Sequence, residues 1–87
     1  MKRLQGKVAI VTGGAQGMGA IHARRCVEEG ARVVLTDLQV EAGEKAASEL
    51  GESAVFVEQD ITVEQDWDRV VGVALDRFGR LDGLVNN

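Results

Sequence analysis

Residues 7–19 read KVAIVTGGAQGMG, an apolar run that breaks into a glycine-rich turn. The segment from Val8 to Val11 is apolar and rich in β-branched side chains, which is typical of a strand covered on both faces. Glycines allow a tight turn, let the backbone approach a ligand closely and let the following helix sit against its strand. Because the free N–H groups and positive dipole end of that helix favour an anion, the stretch predicts a phosphate-binding turn.

An acidic residue follows the next apolar segment. Residues 32–36 predict a second strand, and Asp37 stands at its end, about 20 residues past the glycines. Dinucleotide-binding folds place there the acid that accepts hydrogen bonds from the adenosine ribose. Two other interpretations stay open, since a glycine-rich turn can be purely structural and Asp is also a preferred N-cap residue for the next helix. The two features together favour ribose binding.

Strand and helix patterns alternate along the whole chain, which predicts a parallel α/β sheet. The predicted strands cover residues 8–11, 32–36, 54–58 and 81–86, and the predicted helices cover residues 17–29, 40–50 and 62–78. Thr62 and Gln65 match a capping box at the start of the third helix. Glycine follows each predicted helix, at Gly30, Gly51 and Gly79, which predicts three left-handed stops.

Single residues on the predicted helices have structural interpretations. The apolar face of the first helix is predicted to comprise Met18, Ile21, Ala23 and Cys26. Trp67 lies at helical spacing from other apolar residues, which favours a place in the core over a base-stacking role. His22 has no nucleophile or carboxylate pair near it in sequence, so a surface or helix-packing role is favoured over catalysis.

Composition limits the possible classes. The 87 residues allow at most one domain, and 45% apolar with 28% charged residues argues against disorder. The net charge of −4 comes without a basic patch, so we expect no nucleic-acid partner. No apolar run approaches the roughly 20 residues that cross a bilayer, so we expect no membrane partner and a cytoplasmic location. A single cysteine excludes an internal disulfide or a metal cluster of cysteines.

Polar side chains also follow the third and fourth predicted strands, at the edge where an open parallel sheet binds its ligands. Asp60 and Ile61 follow the third strand, where the acid can accept from the amino group of adenine and the apolar side chain can cover the ring. Asp60 could instead cap the third helix. Asn86 and Asn87 end the fourth strand and could hold strand ends and a cofactor, or form only a turn.

These motifs together resemble the N-terminal half of the short-chain dehydrogenase/reductase family. The spacing Gly13-x3-Gly17-x-Gly19 is similar to that family's version of the glycine turn. The resemblance implies a doubly wound Rossmann sheet of strand order 3-2-1-4, of which residues 1–87 form the N-terminal part. It also implies a cofactor site made of Gly13, Gln16, Gly17, Met18, Gly19, Asp37, Leu38, Asp60, Ile61, Asn86 and Asn87.

The same resemblance implies a role for each part of that site. The turn binds the pyrophosphate, Asp37 the adenosine ribose, and Asp60 with Ile61 the adenine. Asn86 and Asn87 begin an Asn-Asn-Ala-Gly segment that stabilises the sheet and touches the cofactor's ribose. Family members that prefer NADP usually carry a basic residue in the turn or just after the second strand. Gln16 and Leu38 occupy those positions here, so NAD is the expected cofactor.

The family's catalytic Asn, Ser and Tyr-x-x-x-Lys lie beyond the Asn-Asn segment, and these 87 residues contain no tyrosine. Ser48 and Ser53 lie on or after the second helix, so no catalytic residue is assigned. We therefore expect the N-terminal portion of an NAD-dependent oxidoreductase that interconverts a secondary alcohol and a ketone, as a homodimer or homotetramer. The combination of Gly17-Met18-Gly19 with Asp37 resembles the hydroxysteroid dehydrogenase members of the family. A non-catalytic dinucleotide-binding module and a methyltransferase-like Rossmann fold are the alternatives.

Overall fold

The computed structural model describes residues 3–87 and forms one layered α/β unit. Its elements are β1 (Val8–Thr12), α1 (Gly17–Glu28), β2 (Arg32–Asp37), α2 (Val40–Leu50), β3 (Ala54–Glu58), α3 (Glu64–Phe78) and β4 (Gly83–Val85), with a short 3-10 turn at Gly51–Ser53. All strand pairs are parallel, in the order β3-β2-β1-β4. This confirms the predicted Rossmann-type α/β fold and the strand order 3-2-1-4. Among residues 3–87, no helix has the length and apolar character that a membrane crossing requires.

Different helices cover the two faces of the sheet, because successive side chains of a strand point to opposite faces. The face covered by α1 and α2 buries Val11, Val33, Leu35, Ala23 and Ala47. The face covered by α3 buries Val8, Ile10, Val34, Val57, Val70 and Ala74. Since both faces are apolar, β1 and β2 contain apolar runs at residues 8–11 and 33–35, and their carboxyl ends are held at one edge of the sheet.

The start of α3 differs from the prediction. The helix begins at Glu64 with Val63 as N-cap and no side-chain cap, so the capping box of Thr62 and Gln65 is wrong. The backbone N–H and the hydroxyl of Thr62 instead donate to Oδ1 of Asp60, at 2.9 and 2.6 Å. A carboxylate two residues earlier is a charge-assisted acceptor, and it outcompetes the helix terminus for these donors.

The apolar face predicted for α1 is only partly buried. Ala23 is fully buried and Cys26 is half-buried, but the side chains of Met18 and Ile21 are 62% and 52% exposed. Ala23 lies in the core between α1 and the sheet, whereas Met18 and Ile21 line an open depression beside Val85 of β4. Partial burial also raises the pKa of the Cys26 thiol, because it disfavours the charged thiolate.

Trp67 and the element ends also depart from the sequence interpretation. Trp67 is half-buried, and its indole N–H donates to the backbone carbonyl of Ile61 at 2.9 Å, so the predicted core position is wrong in part. β4 is shorter than residues 81–86, because the Asp82 side chain turns back to the N–H of Val8 and the residues after β4 turn towards Thr12.

The glycines after the helices all have positive φ, and those after α1 and α3 end their helices as predicted, whereas the one after α2 differs. Gly79 has φ 83° and ψ −2°, which confirms the predicted left-handed stop of α3. Gly51 caps α2 with φ 78° and ψ −149°, outside the left-handed helical region, since the chain continues there into the 3-10 turn. Gly30 follows the C-cap Glu29 of α1 with φ 98°, and its N–H donates to the carbonyl of Val27 at 3.0 Å while the N–H of Ala31 donates to the carbonyl of Cys26 at 2.9 Å, the hydrogen-bond pattern of a left-handed glycine stop.

Candidate cofactor site

The turn between β1 and α1 has the backbone that its glycines allow. Gly13 and Gly17 have φ of 62° and 63°, which L side chains rarely adopt. A Cβ on Gly19 would overlap the carbonyl oxygen of Gly13, so only glycine permits this close return of α1. The N–H of Gly14 donates to the carbonyl of Thr36 at 3.0 Å, which ties the turn to the end of β2.

The first turn of α1 is open to an anion. Gln16 is the N-cap, with an extended backbone and no side-chain hydrogen bond to the helix, and the first turn holds no acidic residue. A Cβ on Gly17 would meet no atom within 4 Å, so the backbone there faces free space. Helix N–H groups without a cap and the positive dipole end attract phosphate. The residues present therefore fit a diphosphate at this position.

Asp37 is the last residue of β2, and both of its carboxylate oxygens accept backbone hydrogen bonds. Oδ2 accepts from the N–H of Ala15 at 3.2 Å, and Oδ1 accepts from the N–H of Gln39 at 3.0 Å. Each carboxylate oxygen has two acceptor sites, so the group keeps free sites for a diol. The capping alternative is not realised, since Gln39 is the N-cap of α2 and no side chain caps that helix.

A depression at the carboxyl edge of the sheet, the carboxyl-end depression, gathers residues from the ends of all four described strands. It is lined by Gly13, Asp37, Leu38, Gln59, Asp60, Ile61, Thr62 and Asn87. The structure thus brings together six of the eleven residues in the predicted cofactor site. Leu38 and Ile61 are 61% and 48% exposed, so each offers an apolar surface to a planar ring. The hydrogen bonds from Thr62 hold the pKa of Asp60 below its usual value, which keeps its carboxylate charged.

Other predicted site residues lie around this depression. Gln16 reaches across to Gln39 through a 3.2 Å side-chain hydrogen bond beside Asp37. Met18 borders a different, apolar depression along α1 and β4, together with Ile21 and Val85. Gly17 and Gly19 form the start of α1. Neither Gln16 nor the exposed Leu38 carries a positive charge.

The two asparagines after β4 are joined to β1 through Thr12. The Thr12 hydroxyl lies 2.8 Å from Oδ1 of Asn86 and 3.1 Å from the N–H of Asn87. The Asn87 amide donates to the carbonyl of Thr12 at 2.9 Å, and its Oδ1 lies 2.8 Å from Nδ1 of His22. The asparagines therefore lock the ends of two neighbouring strands, and more than a simple turn is formed.

Sequence reasoning missed three residues of this region. Thr12 and His22 hold Asn86 and Asn87, and the buried Gln59 lines the carboxyl-end depression. A polar residue at the end of the apolar run of β1 was a signal for Thr12. His22 and Asn87 are 65 positions apart, and no local pattern links them. The side-chain amide of Gln59 is buried without a hydrogen-bond partner among the described residues.

A parallel sheet of order 3-2-1-4, with a glycine turn after the first strand and acids after the next two, defines an α/β protein of the Rossmann type. The family model of the short chain dehydrogenases matches residues 7–87. The chain therefore belongs to the short chain dehydrogenase family of oxidoreductases.

Individual relatives agree with this assignment. The chain is 47% identical over 85 residues to a 3-beta-hydroxysteroid dehydrogenase of Comamonas testosteroni, covering 98% of this chain and 34% of the relative. It is 49% identical to a 3-alpha-(or 20-beta)-hydroxysteroid dehydrogenase of Mycobacterium bovis and 45% identical to a sorbitol dehydrogenase of Cereibacter sphaeroides, each over 98% of this chain and 33% of the relative. The chain thus spans about a third of the length of these curated relatives.

Proposed function

We propose that residues 1–87 bind the adenosine diphosphate half of NAD within an oxidoreductase that interconverts a secondary alcohol and a ketone. The observation that carries this proposal is Asp37, whose carboxylate is fixed by two backbone N–H groups beside an open helix terminus. Family membership supports the oxidoreductase class, and the names of two relatives make hydroxysteroids the first substrates to test. A dimer or tetramer remains a prediction that light scattering of the full-length protein would test.

Each part of the site has a physical task. The free N–H groups at the start of α1 stabilise the negative charge of the diphosphate. Asp37 accepts hydrogen bonds from the two adenosine ribose hydroxyls, and Asp60 accepts one from the amino group of adenine. Asn86 and Asn87 hold the ends of β1 and β4, and with them the floor of the site. When bound, the nicotinamide ring gives or takes the hydride.

Charge supports NAD over NADP. A 2′-phosphate would lie beside the carboxylate of Asp37, and like charges repel. A basic side chain in the turn or just after β2 could offset that repulsion, but those positions hold Gln16 and Leu38.

These residues alone supply binding without turnover. They contain no tyrosine, so they offer no Tyr-x-x-x-Lys pair for proton transfer, and no catalytic residue is assigned among them. A non-catalytic dinucleotide-binding module is therefore the second candidate. Turnover of an alcohol by the full-length protein with NAD distinguishes the two, since a binding module would take up NAD and leave the alcohol unchanged.

Calorimetric titration of the full-length protein with NAD, NADP and S-adenosylmethionine tests the site. Loss of charge-assisted hydrogen bonds in Asp37→Ala should weaken NAD binding about 10- to 100-fold. NADP binding should weaken less or improve, because the repulsion is removed. Asp76→Ala, which removes an exposed charge from α3, is the matched control and should leave both affinities unchanged. Equal NAD affinity in Asp37→Ala, or binding of S-adenosylmethionine in place of NAD, would contradict the proposal.

A further inference from the structure

The first two turns of α3 hold the backbone of residues 58–61, which forms one wall of the carboxyl-end depression. Oδ2 of Asp66 accepts a hydrogen bond from the N–H of Asp60 at 2.9 Å. The indole N–H of Trp67 donates to the carbonyl of Ile61 at 2.9 Å. Two consecutive residues of one helix therefore fix the two consecutive residues to which the proposed function assigns adenine.

A third side chain of α3 completes this arrangement. The Arg69 guanidinium donates to the carbonyl of Glu58 at 2.6 Å, and it also lies 3.3 Å from Oδ1 of Asp66. Both carboxylate oxygens of Asp66 thus have a partner, one in the N–H of Asp60 and one in the guanidinium of Arg69. A helix carries all three side chains, so residues 58–61 are held in position more precisely than they would be by contacts from a loop.

The hydrogen bonds leave the recognition surface itself free. Oδ1 of Asp60 accepts from Thr62, whereas no hydrogen bond within residues 3–87 is made to its Oδ2. The half-exposed side chain of Ile61 is likewise available, because α3 holds only its carbonyl. Helix α3 therefore sets the direction of one carboxylate oxygen and one apolar side chain without covering either.

We propose that Asp66 and Trp67 are positioning residues that set the selectivity of this site for adenine. The proposal rests on the proposed function, because it requires adenine beside Asp60 and Ile61. Asp66 fixes the height of the Asp60 carboxylate relative to β3, and Trp67 fixes the rotation of the Ile61 peptide. Both residues act through the wall, and neither touches the ligand.

The test is the affinity ratio of NAD to nicotinamide hypoxanthine dinucleotide in the full-length protein. The second ligand replaces the 6-amino donor of adenine by a carbonyl acceptor, so only the contact at the base edge changes. The wild-type protein should prefer NAD by about tenfold, which corresponds to roughly 1.4 kcal/mol. Trp67→Phe keeps an aromatic ring and removes the N–H, and Asp66→Ala removes the acceptor; each should lower the ratio to about threefold or less.

Two controls separate positioning from general weakening. Asp66→Asn retains an acceptor oxygen and should keep the wild-type ratio. Loss of overall stability would lower the affinity for both ligands together and leave the ratio unchanged. An unchanged ratio in both Trp67→Phe and Asp66→Ala would overturn the inference.

The ratio of affinities measured for the wild-type protein is itself a test of the inference. Absence of any preference for NAD over the hypoxanthine analogue would also overturn the inference, because no adenine selectivity would exist to be set. If Asp37→Ala still weakens NAD binding, that result would not contradict the proposed role of Asp37 in NAD binding. Failure of NAD binding itself would instead overturn the proposed function, so the two failures are distinguishable.

Discussion

Nδ1 of His22 lies 2.8 Å from Oδ1 of Asn87, which connects the middle of α1 to the segment after β4. The amide nitrogen of Asn87 donates to the carbonyl of Thr12, so its oxygen is the acceptor in the contact with His22. The hydrogen-bond network therefore assigns a proton to Nδ1 of His22. This contact holds the end of β4 against α1.

Replacing His22 by Leu should lower the free energy of unfolding of the full-length protein by about 0.5–1.5 kcal/mol, the usual net worth of a hydrogen bond. Urea denaturation measures the loss, and Arg24→Leu, on the exposed side of the same helix, is the control. Nitrogen NMR of the histidine ring should show the Nδ1–H tautomer at alkaline pH. A ring protonated on Nε2 would contradict the assignment.

The contrast between β1 and α3 shows how far the sequence could predict this fold and site. The apolar run ending at Thr12 and the glycines after it have no competing local structure, so the strand and the turn could be predicted from these residues, whereas the strand order was implied by the resemblance to the family. The start of α3 could not be predicted in this way, because Thr62 can either cap a helix or donate to Asp60, and the local sequence permits both. The contacts from His22 to Asn87 and from Trp67 to Ile61 depend on tertiary packing, which periodicity does not encode.

Glycine at position 19 should be far less replaceable than glycine at position 17. A Cβ on Gly19 would overlap the carbonyl of Gly13, so Gly19→Ala should cost at least about 3 kcal/mol of stability, the upper range for overpacking. A Cβ on Gly17 would meet no atom, so Gly17→Ala should lower the stability only through the strain of a positive φ, by about 1–2 kcal/mol. Thermal unfolding of both full-length variants measures the difference, and equal costs would refute the close approach of α1.

Gly43 on α2 should also resist replacement, although alanine favours helices. A Cβ there would overlap the ring of Phe56 on β3, so Gly43→Ala should destabilise by about 1–3 kcal/mol. Gly72→Ala on α3 is the matched control, since its Cβ meets nothing and the change should stabilise by about 0.5–1 kcal/mol.

The contact between Gly43 and Phe56 makes the two positions coupled. In a Phe56→Leu background the ring is absent, so Gly43→Ala should cost less there, with a coupling energy of about 0.5–3 kcal/mol. Urea denaturation of the four proteins of this cycle measures it. Additive effects would mean that the ring of Phe56 does not limit the packing of α2.

Asp82 should make the free energy of unfolding depend on pH at and below the unfolded pKa of its carboxyl group. The Arg80 guanidinium binds its two oxygens at 2.7 and 2.9 Å and the N–H of Val8 donates to it at 2.8 Å, which holds the pKa of Asp82 below its usual value. In the unfolded chain the group has a pKa of about 3.9 and binds a proton more readily than in the folded protein. The stabilisation is therefore complete above the unfolded pKa and is lost as pH falls through the folded pKa.

Comparison of the wild-type protein with Asp82→Asn isolates this effect. At neutral pH the variant should be less stable, since a neutral amide binds Arg80 more weakly than a carboxylate does. The difference in urea midpoint between the wild-type protein and Asp82→Asn should decrease as pH is lowered from about 6 towards 2.5, because the wild-type carboxylate becomes protonated. Asp76→Asn removes an exposed carboxylate from α3 that accepts no hydrogen bond within residues 3–87, and its gap should stay nearly constant. A gap for Asp82→Asn that is equally constant would show that the ion pair with Arg80 contributes nothing to the link between β1 and β4.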